Sequence, residues 1–372
     1  MQDITLILLG AGNSTRFNAP VKKQWIYIKD QPLWLFVAKQ FEKYNFSNII
    51  IVSSLDEIKY MQYFAPYTYI HGGITRQESL SNALDHVSTP FVLVSDIARC
   101  CIDHEMIDRI LEAKGKADCI VPALKVADTL YIDNIPADRE KAKLIQTPQL
   151  SVTQLLKQAL KSKQIFTDDS SAIASLDKEI LFVEGSAKAH KLTTKDDLAK
   201  LSCIDTVSNK TLVGFGLDIH PFEDNKKMVL CGVEIDTSYG FKAHSDGDVA
   251  IHAIIDALLG AAGMGDIGEF YPDTSMEFKN INSALLLQDT VKRINSYGLK
   301  IEHVDITILA QIPKITPYKN KMRTTIASLL GIQAIHTNIK ATTAEKLGFV
   351  GRNEGITVHA AATLSYIDWK EL

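Results

Sequence analysis

Ile4-Thr5-Leu6-Ile7-Leu8-Leu9-Gly10-Ala11-Gly12-Asn13-Ser14-Thr15-Arg16 opens the chain with a six-residue apolar run that breaks into a glycine-rich turn. A short run of this kind reads as a strand buried on both faces, as in a parallel sheet. The small residues after it let backbone N–H groups approach a phosphate chain. Thr15 stands where a dinucleotide fingerprint has its third glycine, and no Gly-Lys-Ser/Thr follows, so this is neither that fingerprint nor a P-loop. Arg16 comes next, then Lys22, Lys23 and Gln24. Cations just past such a turn can neutralise charge that develops on a reacting phosphate.

Outward from this turn, strand and helix patterns alternate. Asn48 to Ser53, Phe91 to Val94 (ending at Asp96) and Asp118 to Leu124 read as strands, and Leu33 to Tyr44 as an amphipathic helix. Alternation of this type predicts a Rossmann-like α/β unit, a mostly parallel sheet with helices on both faces. Ligands of such sheets bind at the carboxyl ends of the strands, where Gly10 to Arg16 and Asp96 to Arg99 both fall. Thr193 to Leu201 reads as a last helix, with Thr194 as N-cap and Asp196 and Asp197 in its first turn.

A short polar stretch, Ser202 to Lys210, precedes a new apolar strand at Leu212. Two domains are therefore expected, 1–207 and 211–372, with the boundary near Ser208. In the second, helices of about His244 to Ala262 and Ser283 to Tyr297 alternate with strands such as Ile301 to Leu309 and Ile335 to Lys340. Asp218 and His220 lie two residues apart and share a face if that segment is a strand. His252 lies four residues after Asp248, on one helical face with it. Two imidazoles and one carboxylate from two elements suit a zinc ion with an open fourth position. The same donors accept Mn2+ or Co2+. The alternative is scattered polar residues around a helix start, with Ser245 and Asp246 as caps.

The chain has 372 residues, 46% of them apolar, and a net charge of -4. The apolar content supports real cores, and the mild charge argues against nucleic acid or an acidic membrane as the main partner. No apolar run approaches membrane-spanning length. The five cysteines are odd in number and contain no Cys-X-X-Cys pair, and no signal peptide precedes them. A reduced, cytoplasmic protein is the simplest expectation.

Residues 1 to about 205 resemble the 2-C-methyl-D-erythritol 4-phosphate cytidylyltransferases of the non-mevalonate isoprenoid pathway. The resemblance rests on the turn through Arg16 and Lys23-Gln24, on Gly72-Gly73-Ile74-Thr75-Arg76-Gln77-Glu78-Ser79 and on Asp96-Ile97-Ala98-Arg99. It continues through Asp128-Thr129, Asp138-Arg139, Thr147-Pro148-Gln149, Thr167 to Ala172 and His190-Lys191-Leu192-Thr193. It implies that Arg16 and Lys23 stabilise the pentacoordinate α-phosphate and that Asp96 holds Mg2+ on CTP. Gly12 would lie against the phosphates, and Gly73 and Ser79 against cytosine or its ribose. Thr129, Arg139 and Lys191 would grip methylerythritol phosphate for in-line attack. Two departures stand out. The family's turn usually reads Ala-Ala-Gly where this chain has Gly10-Ala11-Gly12, and its Asp-Ala-Ala-Arg-Pro reads Asp96-Ile97-Ala98-Arg99-Cys100. A sugar-nucleotide transferase of the same fold is the alternative.

Residues from about 211 to 372 resemble the 2-C-methyl-D-erythritol 2,4-cyclodiphosphate synthases. The carrying motifs are Gly216-Leu217-Asp218-Ile219-His220, Ala243 to Asp248, Asp256 to Ala261, Gly265 to Gly268, Tyr271-Pro272-Asp273, Ala310 to Lys314 and Lys340 to Phe349. The resemblance implies zinc on Asp218, His220 and His252, Mg2+ on Glu345, and release of CMP as a cyclic diphosphate closes on CDP-methylerythritol 2-phosphate. His244 and Thr343 would stabilise developing charge, and Ser245 would hydrogen-bond the diphosphate or the erythritol end. Asp266, Ile267 and Gly268 would meet the erythritol hydroxyls, with Tyr271 and Asp273 beside them. Ala310, Lys314, Ala341 and Thr342 would form the cytidine pocket. Asp248 and Asp256 fit supporting or helix-packing roles as well as direct ones, with the structural role ahead for Asp256. The family is trimeric, with sites shared between neighbours, so a homotrimer or higher oligomer is expected. Phe349, Arg352 and Glu354 would face a cavity on the threefold axis that takes an isoprenoid-like anion, or would simply pack the trimer. The two halves carry out non-consecutive steps, transferase and lyase, so a kinase must act between them, in complex or by diffusion. Two rival roles for the second half are a trimerising scaffold and an isoprenoid-binding module.

Overall fold

The computed structural model describes residues 2–162, 164–243, 246–272 and 281–372. It forms two compact units, Met1–Thr206 with Asp368–Leu372, and Val207–Ile367. Residues 368–372, which the sequence reading leaves with the second domain, pack with the first. Trp369 Nε1 donates to the Asp205 carbonyl (3.2 Å), and Lys195 Nζ donates to the Leu372 carbonyl (3.0 Å).

The first unit runs β1 (Ile4–Leu9), a ribbon of β2 (Tyr27–Ile28) and β3 (Gln31–Pro32), α1 (Leu33–Glu42), β4 (Asn48–Ser53), α2 (Leu55–Met61), β5 (Thr68–His71), α3 (Arg76–Leu84), β6 (Phe91–Asp96), α4 (His104–Glu112) and β7 (Cys119–Lys125). A hairpin of β8 (Leu130–Ile132) and β9 (Ile135–Ala137) follows, then β10 (Lys143–Ile145), β11 (Gln149–Val152), α5 (Thr153–Ala159), α6 (Asp169–Ala174) and β12 (Ile180–Glu184). The main sheet has the order β10-β7-β11-β6-β1-β4-β5, with β12 also on β7. Strands β6, β1, β4 and β5 pair in parallel, as does β12 with β7, while β10 and β11 run antiparallel to their neighbours. The sheet is thus parallel-rich, as the strand-helix alternation predicts. Every residue of β1 is buried, which fits its place inside the sheet.

Two further expectations change. The helix read over Thr193 to Leu201 is instead a 3-10 helix over Lys195–Lys200, with Thr194 as the expected N-cap and Asp197 Oδ2 accepting from the Thr193 and Thr194 N–H groups and the Thr194 hydroxyl. The cysteines are not all reduced. Cys101 and Cys203 form a disulfide across a sequence separation of 102, while Cys100, Cys119 and Cys231 are free and buried. Sequence spacing could not show that the loop after β6 folds against the segment after the 3-10 turn. A loop of that size is stabilised by about 4–5 kcal/mol in the chain-entropy account.

The second unit runs β13 (Leu212–Asp224), β14 (Met228–Leu230), β15 (Val233–Ile235), β16 (Tyr239–Phe241), α7 (Val249–Ala262), α8 (Ile267–Phe270), α9 (Ser283–Ser296), β17 (Leu299–Leu309), α10 (Lys319–Leu330), β18 (Thr337–Thr342), α11 (Gly348–Gly351) and β19 (Gly355–Tyr366). Its five-stranded sheet has the order β16-β13-β19-β17-β18. Helix α7 packs on β13, and Gly214 and Gly216 permit this close approach. A Cβ on either would strike the carbonyl oxygens of Ala257 and Ala253. The other face of β13 is open: Val213, Phe215, Leu217 and Ile219 are 68, 64, 46 and 46% exposed. Helix α7 starts five residues later than the spacing suggested. Asp248 caps it by accepting from the Ile251 N–H (3.1 Å). Among the described residues, no helix is long and apolar enough to cross a membrane.

Candidate active sites

The ends of β1 and β6 in the first unit border a cavity of about 270 Å³ that also includes Gly73 and Ser79. Gly12, Arg16, Lys23, Asp96 and Lys191 line it, so five of the positions expected at the phosphates come together. Lys191 Nζ lies 2.6 Å from Asp96 Oδ2, and Arg76 Nε lies 3.5 Å from Asp96 Oδ1. Burial alone would raise the Asp96 carboxyl, but Arg76 and Lys191 outweigh it and hold the group below its ordinary value. Lys23 is lowered too, which for an ammonium disfavours the charged form. Burial, then the neighbouring cations Lys191 and Arg16, press it below its usual value. A phosphate chain would relieve that crowding of positive charge.

Lys191 is held at the backbone on both sides. The Leu192 N–H donates to the Ala98 carbonyl (2.8 Å), and Arg99 donates to the Ala189 carbonyl (2.7 Å). A second cavity of about 480 Å³ shares Arg76, Asp96 and Lys191 with the first and is lined further by Arg99, Thr147 and Thr167. Thr129 and Arg139 are not in either. They flank the β8–β9 hairpin, are exposed, and Arg139 donates to the Ala127 carbonyl in a separate cleft with Lys125 and Lys143.

Asp96 fits Mg2+ in one respect. A magnesium that takes most ligands from phosphates and water needs only one or two carboxylates, and an ionised one faces the cavity.

The departures at Gly10 and Ile97 compensate one another. A Cβ on Gly10 would fall 2.5 Å from Ile97 Cδ1, so isoleucine fills the space an alanine methyl would occupy. Gly10→Ala is expected to cost about 1 kcal/mol, the low end of overpacking, because one buried methyl tip must move. Gly10→Ala/Ile97→Ala should be less destabilised than the sum of its singles. Urea unfolding of the three variants checks this, and strict additivity would mean that the two side chains do not meet.

In the second unit, Asp218 and His220 on β13 meet His252 on the first turns of α7, with ligand atoms within 4.8 Å of one another. Asp218 Oδ2 lies 3.1 Å from His220 Nε2 and 3.2 Å from His252 Nδ1. The remaining ring nitrogens fix the tautomers. His220 Nδ1 lies 2.9 Å from the Gly247 carbonyl, which can only accept, so a neutral ring keeps its proton there and would turn Nε2, which meets Asp218, to a metal. His252 Nε2 lies 3.1 Å from Ser283 Oγ, whose proton goes to Asp246 Oδ1 at 2.5 Å, so in a neutral ring Nδ1, which meets Asp218 Oδ2, is the atom that would turn to a metal. Both imidazoles are thus oriented as metal ligands usually are. Burial would raise the Asp218 carboxyl, but hydrogen bonds from His220 and His252 hold it far below the usual range. His220 is raised, since Asp218 outweighs burial. The donor set and its orientation fit zinc.

Asp248 is structural. Fully buried, it accepts from the N–H groups of Cys231 (2.9 Å), Gly232 (2.6 Å) and Ile251 (3.1 Å). Asp256, one helical turn from His252, accepts from the Ile267 N–H (2.8 Å), which brings Asp266, Ile267 and Gly268 beside the centre. Tyr271 serves packing instead of facing that centre. It is buried, with its hydroxyl 2.8 Å from Asp289 Oδ2 and 3.0 Å from Thr290 Oγ1 on α9. His244, Ser245 and Asp273 lie outside the described residues.

The cytidine positions gather at the ends of β17 and β18. The Ala310 N–H donates to the Thr342 carbonyl (3.0 Å), and the Lys346 N–H donates to Gln311 Oε1 (3.2 Å), joining the loop that carries Lys314 to the loop after Ala341. Thr343 donates to Glu345 at 2.7 Å, both exposed. Asp218 and Ala341 share a row across β13, β19, β17 and β18, three strand spacings or about 14 Å apart. Phe349 is half-buried on α11, and Arg352 forms an exposed two-bond pair with Glu354 at 2.7 and 3.2 Å.

Sequence reading missed Asp246 and Ser283, which orient His252, and Asp169, which pairs with Arg76 at 3.0 Å. The spacing of Thr75 and Glu78 could have placed the start of α3, since both halves of the capping box form there.

A family profile described as 2-C-methyl-D-erythritol 4-phosphate cytidylyltransferase matches residues 4–205, and the YgbB family profile matches residues 211–365. A Sulfurovum sp. protein named bifunctional enzyme IspD/IspF is 64% identical over 372 residues, 100% of each chain. A Campylobacter curvus protein of the same name is 55% identical over 371 residues, 99% of this chain and 100% of its own. The solved structure of the bifunctional IspDF from Campylobacter jejuni matches with a TM-score of 0.92 at 48% identity, covering 99% of this chain and 100% of that one.

Proposed function

This chain belongs to the family of bifunctional IspD/IspF enzymes, and from that premise we propose how its residues divide two reactions. It is an enzyme with both activities in the non-mevalonate pathway. The first unit makes CDP-methylerythritol and pyrophosphate from CTP and 2-C-methyl-D-erythritol 4-phosphate. The second makes 2-C-methyl-D-erythritol 2,4-cyclodiphosphate. The scaffold, isoprenoid-binding and other-substrate readings are not favoured. The observation that carries the division is that each charged centre is built within one unit: Arg16, Lys23, Asp96 and Lys191 in the first, and Asp218, His220 and His252 in the second.

In the transferase, Gly12 and the turn around it would approach the CTP phosphates, with Gly73 and Ser79 at the nucleoside. Arg16 and Lys23 neutralise charge on the α-phosphate as the 4-phosphate oxygen attacks and pyrophosphate leaves. Positioning and charge neutralisation carry most of such a reaction. Asp96 would hold Mg2+, which supplies charge compensation on the departing phosphates. The second cavity, across Asp96 and Lys191 from the first, suits the acceptor. Thr129 and Arg139 would grip it when the hairpin of another copy is brought up. Tyr131, Ile132 and Ile135 of that hairpin are 60, 60 and 68% exposed, which supports such pairing.

In the synthase, the substrate is CDP-methylerythritol 2-phosphate. Asp218, His220 and His252 would hold zinc or a similar ion, which supplies Lewis-acid polarisation of the terminal phosphate. Glu345 would hold Mg2+. Asp266, Ile267 and Gly268 would bind the erythritol end, with His244, Ser245, Asp273 and Thr343 assigned as the family motifs imply. Ala310, Lys314, Ala341 and Thr342 would hold cytidine, about 14 Å across the sheet from Asp218 by strand spacing. That span supports sites shared between neighbouring copies, as does the open apolar face of β13, and we assign a homotrimer or higher oligomer on this basis. Phe349, Arg352 and Glu354 would lie at its axis. A separate kinase supplies the 2-phosphate. We assign a cytoplasmic location, with no nucleic-acid or membrane partner.

Phosphorus NMR of the purified protein with CTP, methylerythritol 4-phosphate and Mg2+ tests the first half. Pyrophosphate and a cytidine diphosphate diester are expected. Protein that yields neither, yet releases CMP from the cyclase substrate, would show that the first unit does not perform this transfer.

A further inference from the structure

We propose that Glu57 is a positioning residue for cytidylyl transfer, fixing Lys23 and the phosphate turn through one buried hydrogen-bond network. The inference rests on the transferase reading above and adds a residue to it. Glu57 lies on the first turn of α2 and is 1% exposed. Its Oε1 accepts from Lys22 Nζ (3.2 Å), Gln24 Nε2 (2.8 Å) and Trp25 Nε1 (2.9 Å). Its Oε2 accepts from the hydroxyls of Ser53 (2.7 Å) and Ser54 (2.9 Å). A carboxylate is acceptor-only with about four lone-pair sites, so these donors saturate it.

Three of the donors are Lys22, Gln24 and Trp25, which bracket Lys23 in sequence. Lys23 does not touch Glu57 in this network, and its Nζ instead reaches the Leu192 carbonyl at the cavity (3.2 Å). The network continues past Gln24. Gln24 Oε1 accepts from Ser14 Oγ (3.3 Å), and Ser14 Oγ accepts from the Lys23 N–H (3.0 Å). Ser14 sits two residues before Arg16, with φ of 56°, a left-handed conformation uncommon for serine. One carboxylate therefore joins the end of β4, the Lys23 segment and the turn that carries Arg16. Both cations act on one phosphorus, so their spacing matters, and a displacement of about 1 Å can cost on the order of 10²-fold in rate.

The test is a set of variants assayed for pyrophosphate release per molecule of folded protein, with CMP release by the second unit as an internal control. Glu57→Ala is expected to lower kcat for transfer by about 10-fold or more while CMP release holds. Glu57→Gln should stay within a few-fold of the parent, because its amide oxygen can face the three donors while its NH2 group donates to the two serines. In a Lys23→Ala background, Glu57→Ala should cost clearly less than it does alone, since the part of its effect that runs through Lys23 is already gone. A purely structural role would lower stability and leave kcat of the folded protein unchanged. If Glu57→Ala does not fold, Gln24→Leu replaces it in the same cycle, cutting the link to Ser14 while leaving the carboxylate in place.

Parental transfer by Glu57→Ala, or full multiplication with Lys23→Ala, overturns the proposal. If Lys23→Ala itself transfers at the parental rate, the transferase assignment of Lys23 fails. If Lys23→Ala is slow but Glu57→Ala is not, only the role of Glu57 fails.

Discussion

His252→Ala is expected to reduce CMP release from CDP-methylerythritol 2-phosphate by more than about 100-fold and to leave pyrophosphate release nearly unchanged. Loss of an outer partner to a metal ligand typically costs about 10–100-fold, and His252 is itself one of three ligand atoms around a single point. Its ring is also held on its far side by Ser283 and Asp246, which fix its orientation. The transferase residues lie in the other unit. Metal analysis should show loss of the bound ion in parallel. Equal loss of both activities, in protein with parental circular dichroism, would show that the two centres are coupled and defeat the division.

Lys23→Ala is the second large effect, about 10²–10³ in the rate of cytidylyl transfer, the range seen when one group stabilising transition-state charge is removed. Lys23 stands among the cations Arg16 and Lys191 in a partly buried site, where the attraction for a phosphate is weakly screened. Substrate binding should suffer less than turnover, because Arg16 and Lys191 remain. Single-turnover pyrophosphate release at saturating CTP measures this. A rate within a few-fold of the parent would remove Lys23 from the catalytic residues.

Local pattern carried much of this molecule's chemistry. Asp218 and His220 announced themselves because strand alternation puts residues two apart on one face, and His252 because it falls in the first turns of a helix. The turn through Arg16 was equally plain, as the strand before it is wholly apolar. What stayed hidden depends on contacts between segments far apart in sequence. Glu57 meets Gln24 across 33 positions, and the Cys101–Cys203 disulfide spans 102. Asp248 was open to either reading in sequence. Its motif neighbours are metal ligands, but its carboxylate is spent on three backbone N–H groups. Thr129 and Arg139 read as partners of Lys191 in sequence, yet they flank a hairpin, exposed, and Arg139 lines another cleft.

The return of residues 368–372 to the first unit makes the synthase an insert between two pieces of the transferase. A single cleavage after Thr206 would leave the strip containing Trp369 on the second fragment, away from the unit it packs with. Clean separation needs two cuts, or a transferase gene in which a short linker joins Thr206 directly to Asp368. An affinity tag fused after Leu372 would weigh on the first catalyst in the chain, not the one it appears to follow.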